Sequence, residues 1–204
     1  MSASESTTSS RPTPDRILDA AEKLFSEQGF AATTLRQVTR ATGMSQPNIY
    51  NHFEDKQALY DGVLERAMGL LFGTIEAAVQ REGATSAHAI EATGEVLGRD
   101  PGLARLLYHE VARGAPDLER VCRGWSWSLL AAALADLDAD EANRFEDEDH
   151  SLLLVAFFNL VIGSFATAHA FHEHTADETH EAESIEHKTR FLVRTWQRIV
   201  TLHD

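Results

Sequence analysis

The sequence predicts an all-α protein in two parts: a three-helix, helix-turn-helix domain near the N-terminus and a larger helical domain behind it. Three observations carry this. Apolar residues recur at three- and four-residue spacing along most of the chain, with no stretch of alternation that would mark a strand. Capping residues and glycines stand where helices of that spacing would begin and end. Between Thr33 and Leu59, helix starts crowd so closely that the middle helix cannot exceed two turns. A helix that short is marginal in water, so its exposed face must serve something.

Taken in order, residues 1–13, MSASESTTSSRPT, are Ser/Thr-rich with no apolar core, which predicts a disordered tail and neither a secretory signal nor an anchor. Thr13-Pro14-Asp15 opens the first helix: Thr13 can cap, Pro14 suits the first turn and Asp15 complements the dipole. Ile17, Leu18, Ala21, Leu24 and Phe25 then form an apolar stripe, and Gly29 ends the helix. Thr34 and Gln37 have capping-box spacing, so a second helix runs to about Ala41. Gly43 makes the turn, and Ser45 caps a third helix, Gln46 to His52, in which Pro47 lacks only an amide that would be unpaired anyway. Asp55 caps a fourth that runs towards Gln80. Further helices are expected at Ala84 to Gly98, Gly102 to Ala112, Asp117 to Leu137, Asp149 to Phe171 and Ser184 to His203. The domain division implied is 14–60 for the helix-turn-helix and 61–204 for the rest.

Composition bounds the function. The chain has 204 residues, 43% hydrophobic and 25% charged, which is ordinary for a soluble globular protein. No apolar run reaches the roughly 18 residues that would span a bilayer, and Asn159 and Ser164 interrupt the nearest, Ser151 to Phe165. A single cysteine, Cys122, cannot form an internal disulfide, which fits a reducing cytoplasm. The net charge of −14 is unevenly placed: residues 1–80 carry 7 Lys+Arg against 10 Asp+Glu, residues 81–204 carry 11 against 22. An acidic body behind a less acidic front leaves room for a local nucleic-acid footprint near the N-terminus. Acidity could equally serve solubility or a salty cytoplasm, since Arg outnumbers Lys 15 to 3. No phosphate-cradling glycine loop, nucleophile elbow or ordered acid–base pair points to an enzyme or a cofactor.

The short third helix has base-reading chemistry. Gln46 offers donor and acceptor together, suited to adenine or to an acceptor on guanine, and Pro47 could meet a thymine methyl. Asn48, Tyr50, Asn51 and His52 can reach bases or phosphates, while Ile49 faces inward. Tyr50 also fits half-buried packing with its hydroxyl on a phosphate, and His52 a plain helix end; Met44 and Phe53 read as core. The stretch from Ile17 to about Val63, with FSEQGF, TTLR and GMSQPNIYNHFEDKQAL, resembles the DNA-binding domain of the TetR family of bacterial transcriptional regulators. That resemblance implies double-stranded operator DNA as partner, Arg36 as a guanine reader, Thr34 and Lys56 as phosphate contacts, and Ser45 to His52 as the recognition element.

The larger domain is then expected to bind a ligand and dimerise. Where helical apolar faces converge, a cavity could be walled by Leu71, Phe72, Leu106, His109, Trp125, Leu129, Phe157 and Phe158, although each also fits plain core. The acidic body favours a neutral or cationic apolar effector. For the homodimer, one stripe is Leu152, Val155, Ala156, Asn159, Leu160, Gly163 and Ala170, another Ile185, Leu192, Trp196 and Ile199; both stripes also fit intramolecular core. Five of ten histidines lie in HAFHEHTADETHEAESIEH, spanning His169 to His187. A metal-responsive sensor using that segment is the alternative, but its spacing matches no metal motif and reads as a solvated loop. The reading is a ligand-responsive, cytoplasmic transcriptional regulator, a repressor that binds a palindromic operator as a homodimer.

Overall fold

The computed structural model describes residues 13–81, 85–114, 116–117, 147–168 and 181–201, and no strand occurs among them. Among the described residues eight helices follow in chain order: α1 Thr13–Ala32, α2 Leu35–Thr42, α3 Gln46–Tyr50, α4 Lys56–Val79, α5 Ser86–Arg99, α6 Pro101–Ala112, α7 Asp147–Ala166 and α8 Glu181–Thr201. The chain divides between Val63 and Leu64 into two compact units. The predicted helix Asp117 to Leu137 falls outside the described residues apart from its first residue, as do the N-terminal tail to Pro12 and His169 to His180. His187, the last of the histidine segment, sits in α8, so that segment is not loop throughout.

Helix ends follow local chemistry. Gly29 interrupts α1 with φ 76° and ψ 170°, a region that a residue with a Cβ enters only with strain. Thr34 accepts a bond from the Gln37 amide while the Gln37 side chain accepts from the Thr34 amide, which completes the capping box of α2. Gly43, at φ 69°, ends that helix in the left-handed region. Asp55 Oδ1 accepts from the Ala58 amide at 2.7 Å and caps α4. Three expectations change, the first being that α1 resumes beyond Gly29 and ends at Ala32. Ser45 stands at the N-cap of α3 with extended backbone, but its side chain makes no cap bond. And α3 stops at Tyr50 rather than His52, because the His52 amide donates to the Ile49 carbonyl in a closing turn.

In the first unit, Ile17, Ala21 and Phe25 of α1 are wholly buried together with Val38, Ile49, Leu59 and Val63. Phe25, Phe30 and Tyr60 form an aromatic group, with Phe25 edge-on to Tyr60 at 4.8 Å between centroids. In the second unit, Leu64, Met68, Leu71, Ile75 and Ala78 give α4 a buried stripe at helical spacing. Asp100 joins α5 to α6: its carboxylate accepts from the amides of Gly102 and Leu103, and Pro101 takes the first helical position. Glu110, fully buried, accepts from the Asp117 amide and pairs with Arg113 at 3.0 Å, so a charged group closes the end of α6. Lys188 of α8 lies 4.9 Å from the Phe165 ring centroid, and burial holds its pKa below the ordinary lysine value.

The second unit also corrects the assignment of apolar stripes. Leu192 and Trp196 have essentially no exposed surface in a single chain, and Trp196 meets Phe157 edge-on at 5.7 Å. Both belong to the internal core, which leaves them no face for a partner subunit, and Gly163 is buried likewise. Ile185 is half-buried because it packs against α5. A Cβ built at Gly98 would stand 2.5 Å from Ile185 Cγ2, and one at Gly94 would stand 2.5 Å from Thr189 Oγ1. Glycines four residues apart therefore let α8 approach α5 more closely than any other residue allows.

Gly98→Ala tests this contact. Helix propensity would favour alanine by about 1 kcal/mol, but overpacking typically costs about 1–3 kcal/mol. A net loss is expected in thermal unfolding, partly recovered when Ile185→Ala is combined with it. A variant as stable as the parent would show that the close approach is not maintained.

Candidate nucleic-acid interface

The candidate interface is the outer side of α2 and α3. α3 has five residues, of which only Ile49 is buried. Ile49 is fully buried while Gln46, Pro47 and Tyr50 are exposed, so one apolar side chain fixes which face turns outward. Pro47 supports the helix start with a backbone angle already suited to it. The Ser45 carbonyl accepts from the amides of Asn48 and Ile49, at 3.1 and 3.3 Å. Gln46 Nε2 donates to Tyr50 Oη at 3.4 Å, one turn along, so the two outermost polar groups share an edge of the helix. Asn51 and His52 continue the exposed face beyond the helix, and Asn48 is half-buried.

On α2, Arg36 and Arg40 are exposed. Thr34 is exposed too, although its hydroxyl already donates to Gln37 Oε1 at 2.9 Å as part of the cap. Its neighbour Thr33 is fully buried, donates to the Gly29 carbonyl at 2.8 Å and accepts from Gln28. Gln37 donates in turn to Gln28. The structure thus brings together Thr34, Arg36, Ser45, Gln46, Pro47, Tyr50, Asn51 and His52 as exposed groups of two adjacent short helices. Lys56 stands apart: it is half-buried, and its ammonium donates to the carbonyls of Phe30 and Thr33. Composition gave no signal for that use of Lys56, since both acceptors are main-chain atoms more than 20 positions away.

The residues of the candidate effector wall differ in exposure. Leu106 is wholly buried in core, His109 is exposed, Phe157 lies against Trp196, and Phe72 and Phe158 are half-buried. Trp125 and Leu129 fall outside the described residues. Among the described residues, a groove of about 490 Å³ runs between α5 and α8, lined by Glu91, Glu95, Arg99, Ile185, Glu186, Thr189, Arg190 and Val193. Its charges are largely paired along each helix, Arg99 with Glu95 and Arg190 with Glu186. Among the described residues no group of three metal-ligating side chains converges.

Comparison with known proteins bears on family and fold. Residues 17–63 match the family described as bacterial regulatory proteins, tetR family. The HTH-type transcriptional repressor Rv1474c of Mycobacterium tuberculosis is 30% identical over 155 residues, covering 72% of this chain and 76% of that protein. The HTH-type transcriptional repressor KstR2 of Rhodococcus jostii is 39% identical over 57 residues, 28% of either chain. A TetR-like transcriptional regulator from Rhodococcus sp. RHA1 shares the fold with a TM-score of 0.68 at 17% identity, over 95% of this chain and 99% of that one. PfmR from Thermus thermophilus, a TetR family transcriptional regulator, gives 0.67 at 18% identity, over 96% and 99%. None of the described helices is long and apolar enough to cross a membrane.

Because α3 hangs on one buried side chain, Ile49→Ala should cost about 2–5 kcal/mol in chemical denaturation of the first unit. Asn51→Ala, on the exposed face, should stay within about 0.5 kcal/mol. Equal costs at the two positions would contradict the assigned orientation of α3.

Proposed function

The chain belongs to the tetR family of bacterial regulatory proteins, and from that premise we propose a ligand-responsive repressor that binds a palindromic operator as a homodimer. The observation that carries this reading is the asymmetry of α3: Ile49 is buried, while Gln46, Pro47 and Tyr50 are exposed. In the proposed complex α3 enters the major groove. Gln46 makes a two-point contact with adenine, Arg36 reads guanine from α2, and Pro47 meets a thymine methyl. Ser45, Asn48, Tyr50, Asn51, His52 and Thr34 hold sugar and phosphate around them. Ser45 suits this role because its hydroxyl makes no cap bond.

Support for the homodimer comes from apolar side chains that one chain leaves in water. On α7, Leu152 is 66% and Val155 57% exposed; on α8, Phe191 is 55% and Ile199 46% exposed. Asn159 lies one turn beyond Val155 and is exposed as well. A two-fold interface built from α7 and α8 would cover these groups and present two reading heads to half-sites about one helical turn, or slightly more, apart. Phe191 thus replaces Leu192 and Trp196 in the proposed interface.

Release requires an effector that prefers the state unable to hold DNA, with a coupling of about 1–3 kcal/mol. The charge excess of residues 81–204, 22 acidic against 11 basic, favours a neutral or cationic apolar molecule over an anion.

Two measurements test the proposal. Arg36→Ala and Gln46→Ala should each cost about 1–3 kcal/mol on the preferred duplex and relax the base preference at one position per half-site. Titration of single-base duplex variants reads this directly, and a uniform loss on every sequence would reject both as base readers. Phe191→Glu should shift sedimentation from dimer to monomer at micromolar concentration, since a charge would then face an apolar partner surface. A dimer that persists in Phe191→Glu and in Val155→Glu would place the interface elsewhere.

A further inference from the structure

Lys56 opens α4, yet its charge is used at the α1–α2 turn, more than 20 residues earlier in the chain. Its Nζ donates to the carbonyl oxygens of Phe30 at 2.9 Å and Thr33 at 3.0 Å, and it lies 4.2 Å from the centroid of the Phe30 ring. Gly29 breaks the helical backbone just before Phe30, and Thr33 lies in the link between α1 and α2. Phe30 O also receives a bond from the Thr33 amide at 3.3 Å. Thr33 has no exposed surface, so water cannot stand in for the ammonium at its carbonyl. The ring beneath the cation is itself held by Phe25 and Tyr60.

The turn held in this way leads straight into α2. Thr33 is followed by Thr34, the N-cap, and the Gln28–Thr33 and Gln28–Gln37 bonds tie α1 to the same corner. α2 carries Arg36, and α3 packs against α2. Whatever sets the position of the Phe30–Thr34 turn therefore sets where Arg36 and Gln46 stand.

We propose that Lys56 acts in DNA binding as a positioning residue, clamping the α1–α2 turn so that α2 and α3 hold their reading geometry, and not as a phosphate contact. The proposal rests on the DNA-binding reading above. Two of the three ammonium hydrogens end on main-chain oxygens, and an aromatic face lies against the cation. A charge held inside the head neutralises no backbone phosphate, so its removal leaves the count of released counterions unchanged.

The test compares the full-length chain with Lys56→Met on two probes: a duplex selected by the parent chain from a random-sequence pool, and an unselected duplex of equal length. Binding is titrated at several salt concentrations. Lys56→Met should keep the parent salt slope while its preference for the selected duplex falls by about ten-fold, comparable to losing one base contact. A slope reduced by about 0.9 per subunit, with preference intact, would overturn the proposal in favour of a phosphate contact. Should Lys56→Met fail to fold, the parent protein decides through the NMR signals of its lysine ammonium groups. The chain has three lysines, Lys23, Lys56 and Lys188, so substitution of the other two identifies the signal. A Lys56 signal protected from exchange without DNA and unmoved by the selected duplex supports the clamp; one that becomes protected only with DNA overturns it. A parent chain that selects no duplex sinks the DNA-binding reading, and the positioning role with it, whereas the NMR signal of the free chain reports on the clamp alone.

Discussion

A helix of five residues cannot hold itself in water, and the whole first unit is arranged around that constraint. Forming a first turn fixes several backbone angles for one hydrogen bond, so α3 must take its stability from its surroundings. Three features supply it. Ile49 is buried completely, Pro47 enters with its backbone angle already set, and Gly43 turns the chain sharply enough to lay α3 against α2. Because a single apolar side chain does the anchoring, the remaining positions are free to carry polar groups. The exposed Gln46, Tyr50 and Asn51 are a consequence of that economy of contact, and it is what makes α3 suitable for reading another molecule.

Charged groups in this protein work on the main chain as much as on each other. Lys56 satisfies two carbonyls beyond the break at Gly29, and Glu110 receives the amide of Asp117 while pairing with Arg113. In both cases an unsatisfied buried main-chain group would cost about 1–3 kcal/mol, more than a surface ion pair contributes. The exposed pairs Glu95–Arg99 and Glu186–Arg190 are of the weaker kind and shape the rim of a groove more than they stabilise the fold.

Close packing in the second unit depends on absent side chains. Gly94 and Gly98 open a seam in α5 into which Thr189 and Ile185 of α8 fit. The same helix, α8, sends Leu192 and Trp196 inward and leaves Phe191 and Ile199 in water. A helix with apolar residues on more than one side commits one face to its own core and leaves the other available, and the exposed residues of α7 complement it in the proposed dimer.

By itself the sequence determined what depends on neighbours within about four residues. The capping box at Thr34 and Gln37, the left-handed glycines 29 and 43, the Asp55 cap and the periodicity of the long helices all involve local bonds and local sterics, so they were legible before any fold was known. Ile49 pointing inward was legible for the same reason. Tertiary structure decided the rest. Adjacent positions on a helix are turned by about 100°, so Phe191 and Leu192 face different ways, and two apolar residues side by side give no hint of which meets the core. Nor does a lysine near a helix start reveal whether its ammonium faces solvent or two carbonyls more than 20 residues earlier. Both outcomes depend on where distant segments lie, and spacing along the chain carries no information about partners that only folding brings together.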